Sequence, residues 1–261
     1  MILRFLGTGT SFGVPVVGCD CAACTSDDAR DRRTRHAALI EDKGRRVLVD
    51  TPPELRLQLL AAGVDRVDAV WYTHCHADHT HGADDLRVFS GRYRKPVQAY
   101  ASEACAAELS DRLRYVFDPS AEPLVGVSRP DVRLHTFRAH QPVNIAGFTM
   151  LPLPVPHGSQ EAFGFRAGEL GYITDAKRLP GRTRVALEGV RVLVLNALWS
   201  EKSRAPHPTH FTLEEAVTVA GQVGAGRTYL THLSHRVRHA ETEEWLPEGV
   251  YLAYDGLVVE V

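Results

Sequence analysis

The residues best suited to chemistry lie in one short segment, Thr73–Gly82, which reads THCHADHTHG. Four metal ligands follow the pattern H-x-H-x-D-H within it, namely His74, His76, Asp78 and His79. The first two can point to one metal ion and the last two to a second, and this donor set suits Zn, Mn or Fe rather than Ca. The apolar run Ala69–Tyr72 comes directly before the segment and predicts a buried strand. The four ligands should therefore sit on the loop at the end of that strand.

A second cluster of metal-ligand types lies near the amino terminus, where GCDCAAC contributes Cys19, Cys21 and Cys24. Three thiols cannot all pair with one another, but they can hold one tetrahedral metal and leave one position open. The candidates for the fourth ligand are Cys75, Cys105 and His235. Cys75 lies inside the first motif and Cys105 on a predicted helix, whereas His235 ends the segment THLSH and could turn towards a different site. We therefore favour His235.

A third segment, HPTHFT, supplies His207 and His210 just before a helix that begins at Thr212. Two metal ions about 3.5–4 Å apart suit hydrolysis at phosphorus, and that reaction also needs a proton donor for the leaving alkoxide. Thr212 and Glu215 predict a capping box. The free N–H groups at the start of this helix favour a phosphate nearby. Either histidine of the segment is a candidate for the proton donor.

The elements that must position these residues alternate between short strands and helices, which predicts an α/β fold. The predicted strands are Ile2–Leu6, His36–Glu41, Arg46–Asp50, Val97–Tyr100, Met150–Val155, Phe163–Arg166, Tyr172–Thr174, Val192–Ala197, Tyr229–Thr231, Val250–Ala253 and Leu257–Val261. The predicted helices are Pro53–Ala62, Ser102–Arg114 and Thr212–Val223. Leu55, Leu59 and Leu60 should share one face of the first helix. We expect a second half to begin near Val132, and one domain to span residues 1–261 with a Cys-rich loop at 18–26.

Composition agrees with a globular enzyme and limits its partners. The chain has 261 residues, 44% of them hydrophobic, and a formal net charge of -2. Near-neutral charge disfavours bulk electrostatic binding to nucleic acid, and no apolar run is long enough to span a membrane. Met1 leads directly into a predicted strand without a signal-peptide core, so we expect a cytoplasmic protein whose cysteines are thiols or metal ligands. The basic run Arg30–Arg35 should be a solvated loop or the entrance to a hairpin.

The ligand motif at a strand end resembles that of the metallo-β-lactamase superfamily, which implies an αββα sandwich of two mixed β-sheets flanked by helices. The resemblance also implies three further ligands at strand ends, matched by His157 in PHGS, Asp175 in GYITDA and His232 in YLTHLSH. By this pattern His232 joins Asp78 and His79 at one metal, and His157 joins the first two histidines at the other. Asp175 bridges them. Asp50 matches an Asp of the superfamily that orients a ligating imidazole.

The second cluster narrows the resemblance to the PhnP type, the phosphoribosyl cyclic phosphodiesterases. Gly7–Pro15 reads GTGTSFGVP, GCDCAAC follows, and Leu230–His235 reads LTHLSH. This family implies a structural zinc held by the three cysteines and His235, two catalytic metals that are usually Mn, and a homodimer. It also implies that His210, just before the capped helix, is the general acid. We count His210, Asp78 and Asp175 as the catalytic residues.

The expected activity is metal-dependent hydrolysis of a small cyclic phosphodiester, such as 5-phosphoribosyl 1,2-cyclic phosphate, with Mn or Zn in the catalytic pair. One alternative is an accessory or carrier protein of a biosynthetic pathway, because the relative involved in pyrroloquinoline quinone synthesis also carries the Cys cluster. Another is a different hydrolase of the superfamily. Processing of tRNA would need a flexible RNA-binding arm, and no long basic insertion flanked by Gly or Pro is visible.

Overall fold

A computed structural model describes residues 1–121, 126 and 128–261. Its strands are β1 (Ile2–Gly7), β2 (Ala37–Asp42), β3 (Arg45–Val49), β4 (Ala69–Trp71), β5 (Val97–Ser102), β6 (Val132–Phe137), β7 (Val143–Ile145), β8 (Phe148–His157), β9 (Gln160–Ala167), β10 (Leu170–Tyr172), β11 (Val192–Asn196), β12 (Arg227–Thr231), β13 (Val250–Leu252) and β14 (Val258–Glu260). They form two sheets of seven strands each, in the orders β14-β1-β2-β3-β4-β5-β6 and β13-β12-β11-β10-β9-β8-β7. Both sheets are mixed. Neighbouring strands are parallel from β3 to β6 in the first sheet and from β10 to β13 in the second, and the remaining pairs are antiparallel.

The helices are α1 (Leu55–Ala61), α2 (Ala77–Thr80), α3 (Arg87–Tyr93), α4 (Glu103–Arg112), α5 (Arg114–Phe117), α6 (Gly181–Leu187), α7 (Leu213–Val223) and α8 (His239–Glu243). Successive side chains of a strand point to opposite faces of its sheet, so each sheet can pack against the other sheet on one face and against helices on the other. Ile40, on the face of β2 that points to the second sheet, packs in one cluster with Met150 and Phe165 of that sheet. Leu39, on the other side of the same strand, packs with the residues of α1, α3 and α4. The second sheet packs its outer face against α6 and α7. The predicted αββα sandwich is therefore confirmed.

Three local predictions were wrong. Leu60 is 64% exposed, whereas Leu55 and Leu59 are buried, because the α1 face that contacts the sheet is too narrow to include all three. The strand that begins at Val132 pairs in parallel with β5 and closes the first sheet, so the second sheet begins only at β7. The basic run is not wholly solvated, since Arg33 is 2% exposed and donates to the Ala253 carbonyl.

The strand ends that matter for chemistry are joined across the two sheets. The Phe163 N–H donates to the Thr73 carbonyl, and the Trp71 indole donates to the Phe163 carbonyl. These bonds fix the end of β4 against β9 of the other sheet. No helix among the described residues is long and apolar enough to cross a membrane.

Candidate active site

Two sets of potential ligand atoms lie at the ends of these strands, and the atoms within each set are all within 4.8 Å of one another. The first set comprises His74 and His76, which follow β4, and His157, which ends β8. His76 Nδ1 lies 3.0 Å from His74 Nε2 and 3.3 Å from His157 Nε2. A tetrahedral ion with bonds of about 2.1 Å to imidazole nitrogens would place its ligands about 3.4 Å apart. These three nitrogens could therefore hold one metal ion.

The second set comprises Asp78, His79 and His232. His79 Nε2 lies 3.5 Å from Asp78 Oδ2, and His232 Nε2 lies 4.0 Å from the same oxygen. Both imidazole nitrogens are buried and have no hydrogen-bond partner within the described part of the chain. Buried polar atoms are nearly always satisfied, and a cation bound among these three groups would satisfy both nitrogens. The donor set thus fits a second metal ion.

The carboxylate of Asp175 lies between the two sets. Its Oδ2 is 3.6 Å from His74 Nε2 and 3.7 Å from His157 Nε2, both of the first set. The same oxygen is 3.6 Å from His79 Nε2, and Oδ1 is 3.5 Å from His232 Nε2 in the second set. The Asp175 oxygens therefore lie as far from the imidazole nitrogens of both sets as two ligands of one metal ion lie from each other, which is the position that a bridging ligand requires.

The electrostatics of the site favour bound cations. Burial lowers the pKa of His74 well below its usual range and that of His232 to about 4, so these imidazoles are neutral and keep a lone pair for a metal. Burial opposes a charge on His79, but the carboxylates of Asp175, Asp50 and Asp78 outweigh it and raise its pKa to about 10. The negative charge concentrated around His79 is the kind that a divalent cation offsets.

Asp50 orients one of the imidazoles from behind. Its Oδ2 accepts a hydrogen bond from His79 Nδ1 at 2.7 Å, and its two oxygens accept the Thr73 N–H and hydroxyl, each at 2.8 Å. A proton fixed on Nδ1 leaves the Nε2 lone pair of His79 facing the site. Asp50 thus lies where the sequence comparison places it.

The backbone at the site is strained in a way that sequence reasoning did not anticipate. Asp50, Asp175 and His232 each follow a strand, and their φ angles are 62°, 57° and 58°. Side chains other than glycine rarely adopt this left-handed conformation, and such residues cluster at functional sites. Here the turn redirects each side chain from the strand end into the pocket.

The segment from His207 to His210 forms the remaining wall of the pocket. His210 Nε2 lies 3.2 Å from Asp175 Oδ2, while its Nδ1 lies 2.9 Å from the Thr209 hydroxyl. His207 lies one step further out, and its Nδ1 is 3.0 Å from the same hydroxyl. The predicted capping box of Thr212 with Glu215 is present, so α7 begins directly behind His210.

The cavity at the candidate metal ligands has a volume of about 330 Å³. Sequence reasoning missed several residues of its lining, which are Ser11, Gly158, Ser159, Gln160 and Thr209. Their signal was only their position, since they lie in or directly beside the motifs GTGTS, PHGSQ and HPTH.

The three cysteines of GCDCAAC surround one imidazole outside this pocket. His235 Nδ1 lies 3.3 Å from Cys19 Sγ, 3.5 Å from Cys21 Sγ and 3.8 Å from Cys24 Sγ. A tetrahedral zinc with three sulfur ligands and one nitrogen ligand would space them by about 3.6 Å. Of the other candidates, Cys75 donates instead to Glu108 Oε2 at 2.6 Å. The geometry therefore brings His235, and neither Cys75 nor Cys105, to the three thiols.

Comparison with known proteins defines the class. The sequence-family model of the beta-lactamase superfamily domain matches residues 45–233 of the chain. The chain therefore belongs to the metallo-β-lactamase superfamily and is a metal-dependent hydrolase. A crystal structure of a diphosphatase from the PhnP family superposes with a TM-score of 0.90 at 39% identity, covering 100% of this chain and 97% of that one. Within the superfamily, the chain belongs to the PhnP family.

Two curated relatives have other names. A protein of Porphyromonas gingivalis called an octanoyltransferase is 39% identical over 97% of this chain, but the chain spans only 50% of that protein. A ribonuclease Z of Methanopyrus kandleri is 26% identical and covers 100% of this chain, with 98% of its own length matched. Neither name by itself assigns a substrate to this chain.

Proposed function

We propose that this hydrolase is a dinuclear metal-dependent phosphodiesterase that opens a small cyclic phosphodiester, such as 5-phosphoribosyl 1,2-cyclic phosphate. The observation that supports it best is the Asp175 carboxylate, which lies at ligand distance from both sets of imidazoles and 3.2 Å from His210. A phosphoryl group that reached this carboxylate would meet two cation sites and a proton donor together. Those are the groups that phosphodiester hydrolysis needs.

In this proposal His74, His76 and His157 would hold one divalent ion, Asp78, His79 and His232 the other, and Asp175 would bridge them. These residues would hold divalent ions whose chemistry would be to supply hydroxide near neutral pH and to offset the charge that develops at phosphorus. The ligand types accept Mn or Zn, and family membership favours Mn. Asp50, whose Oδ2 lies 2.7 Å from His79 Nδ1, would hold His79 in the tautomer that such a site requires.

His210 would deliver the proton to the leaving alkoxide. Its Nδ1 contacts the Thr209 hydroxyl, which leaves Nε2 facing Asp175 and the pocket. The Thr209 carbonyl lies 3.4 Å from His157 Nδ1, so one residue orients both the proton donor and a metal ligand. His207 lies behind His210, where burial lowers its pKa and the neighbouring His210 adds to that effect. This position suits a supporting role for His207.

Cys19, Cys21, Cys24 and His235 would hold a structural zinc that joins the amino-terminal loop to the loop after β12. Thiolate and imidazole ligands in a closed set of four are typical of structural zinc. The site lies apart from the phosphoryl pocket and does not share a ligand with it. Its role would be to fix the loop that carries Ser11 to the pocket wall.

We propose a small-molecule substrate, a homodimer and no nucleic-acid partner. The cavity of about 330 Å³ at the metal ligands fits a small substrate, and the formal net charge is -2. The diphosphatase relative makes a diphosphate ester the second candidate, because that protein shares 39% identity over the full chain. The accessory-protein alternative stays a prediction with less support, because the ligand set is complete.

The deciding experiment measures hydrolysis of cyclic phosphodiesters, linear phosphodiesters, diphosphate esters and a short RNA by the purified protein, with metal analysis of the same sample. We expect the highest kcat/KM on a cyclic phosphodiester and about three metal ions per chain in the same sample. Preference for the diphosphate ester would replace the proposed substrate with the second candidate. No turnover on any phosphorus ester would reject the proposal.

A further inference from the structure

A second and larger cavity adjoins the metal pocket. Its volume is about 730 Å³, and Ser159 and Gln160 line both cavities. Ser159 lies in the turn that follows β8, and Gln160 is the first residue of β9. His74 of the first ligand set also lines the larger cavity. A substrate whose phosphoryl group lies among the metal ligands could therefore extend past Gln160 into this space.

The walls of the larger cavity combine aromatic and acidic groups. Phe137 and Phe163 line it, each 6% exposed, with their ring centroids 5.3 Å apart. Glu103, at the start of α4, and Glu161, at the start of β9, are exposed on its rim. Neither carboxylate has a salt-bridge partner anywhere in the described ranges. Aromatic carbon together with free acceptors in one lining suits a ring that carries hydroxyl groups.

The charges argue against a second phosphate in this space. Glu108, a third carboxylate of the lining, already pairs with Arg112, and Arg138 is the one guanidinium among the lining residues. The lining therefore carries two unpaired carboxylates and one arginine. Like charges brought together in a partly closed cavity are disfavoured, whereas carboxylates are strong acceptors for sugar hydroxyls, as they are for the ribose hydroxyls of dinucleotides.

We propose that this cavity is a substrate subsite that binds an uncharged ring bearing vicinal hydroxyls, with Glu103 and Glu161 accepting from the hydroxyls and Phe137 and Phe163 contacting the ring. The inference rests on the proposed phosphodiesterase function and extends its substrates beyond the phosphoribosyl example to esters with such a second group. Either a nucleoside or a glycoside offers this chemistry.

The test compares p-nitrophenyl phosphodiesters that share a leaving group and differ in the other ester. The four esters are methyl, uridine 5′, thymidine 5′ and glucose 6, all assayed with the metal-loaded protein. We expect kcat/KM for the uridine and glucose esters to exceed that for the methyl ester by at least tenfold. The thymidine ester lacks the vicinal diol and should not show the gain. A gain for uridine alone identifies a nucleoside as the ligand, and a gain for glucose alone a glycoside.

The double variant Glu103→Ala/Glu161→Ala should bring the ratio of diol ester to methyl ester close to one. Glu169→Ala is the matched control, because Glu169 is exposed in the turn that follows β9 and is not among the residues that line the cavity. Equal kcat/KM for all four esters in the wild type, or a preference that survives in the double variant, overturns the subsite. If even the methyl ester is not hydrolysed, the phosphodiesterase proposal fails first. Calorimetry with uridine 5′-monophosphate and methyl phosphate then decides the subsite, which is wrong if the wild type binds both equally.

Discussion

Asp50→Asn offers the sharpest test of how the metal centre is held together. Asp50 is fully buried, and its Oδ2 accepts from both His79 Nδ1 and the Thr73 hydroxyl. The substitution keeps the shape but replaces one accepting oxygen with an NH₂ donor. If the donor takes the place of Oδ2, it faces His79 Nδ1 and favours the tautomer with its proton on Nε2. That proton would occupy the lone pair that faces the site.

If the amide flips instead, its NH₂ group faces the Thr73 N–H. In the wild type this N–H donates to Asp50 Oδ1 at 2.8 Å. Two donors then meet in a buried position, so both orientations are unfavourable. Loss of a group that orients a metal-ligating imidazole weakens metal affinity by about 10–100-fold, which corresponds to about 1.4–2.8 kcal/mol. The cost should fall on the ion held by His79, Asp78 and His232.

The assay is calorimetric titration of metal into chelator-treated protein whose Cys-bound zinc is retained. We expect one catalytic site to weaken by about 10–100-fold while the other changes less. Asp255→Asn is the matched control, because Asp255 accepts four hydrogen bonds from Thr8 and Thr34 outside the metal pocket. The control should lower thermal stability without weakening metal binding. Equal metal affinity in wild type and Asp50→Asn would refute the orienting role.

The other substitutions test the remaining parts of the site. Asp175→Ala should abolish turnover and deplete both catalytic ions while the Cys-bound zinc remains, since one carboxylate serves both sets; near-normal turnover with two catalytic ions bound contradicts this. His210→Ala should bind metals normally but slow alkyl phosphodiester hydrolysis by about 10²–10⁴-fold, with a smaller loss on bis(p-nitrophenyl) phosphate, whose leaving group needs no proton. His207→Ala is its control, and the reverse pattern would exchange the two roles. Cys21→Ser should lose one zinc and lower the melting temperature, because binding energy at such a site becomes folding energy. Cys105→Ser should keep that zinc, and unchanged metal content in the Cys21 variant would disprove the site.

Much of the fold was predictable because its determinants are local. The THCHADHTHG segment follows an apolar strand, and strand ends are where backbone turns expose side chains. The capping box at Thr212 was likewise predictable, since its two partners are three residues apart. The failure at Leu60 has a tertiary cause. Periodicity marks which residues of a helix are apolar but not how wide a contact the sheet offers, so Leu60 was misplaced.

The site residues that lie far along the chain from the first motif could not be predicted from local sequence. His157, Asp175 and His232 are separated from the first motif by long stretches of chain, and only family resemblance grouped them with it. Nothing in the spacing of the chain specified that Asp175 would lie between two sets of imidazoles. The choice of His235 over Cys75 also depended on which side chain faces the thiols, and the structure brings His235 to them.

The sequence by itself determined the ligand types, the strand ends that carry them and the α/β alternation, because each depends on neighbours a few residues away. Only the tertiary structure decided the distances of 3.5–3.7 Å around Asp175, the left-handed turns at Asp50, Asp175 and His232, and the cavity beyond Gln160. These features arise where two sheets pack face to face. Packing brings together residues whose separation along the chain carries no information about their separation in space.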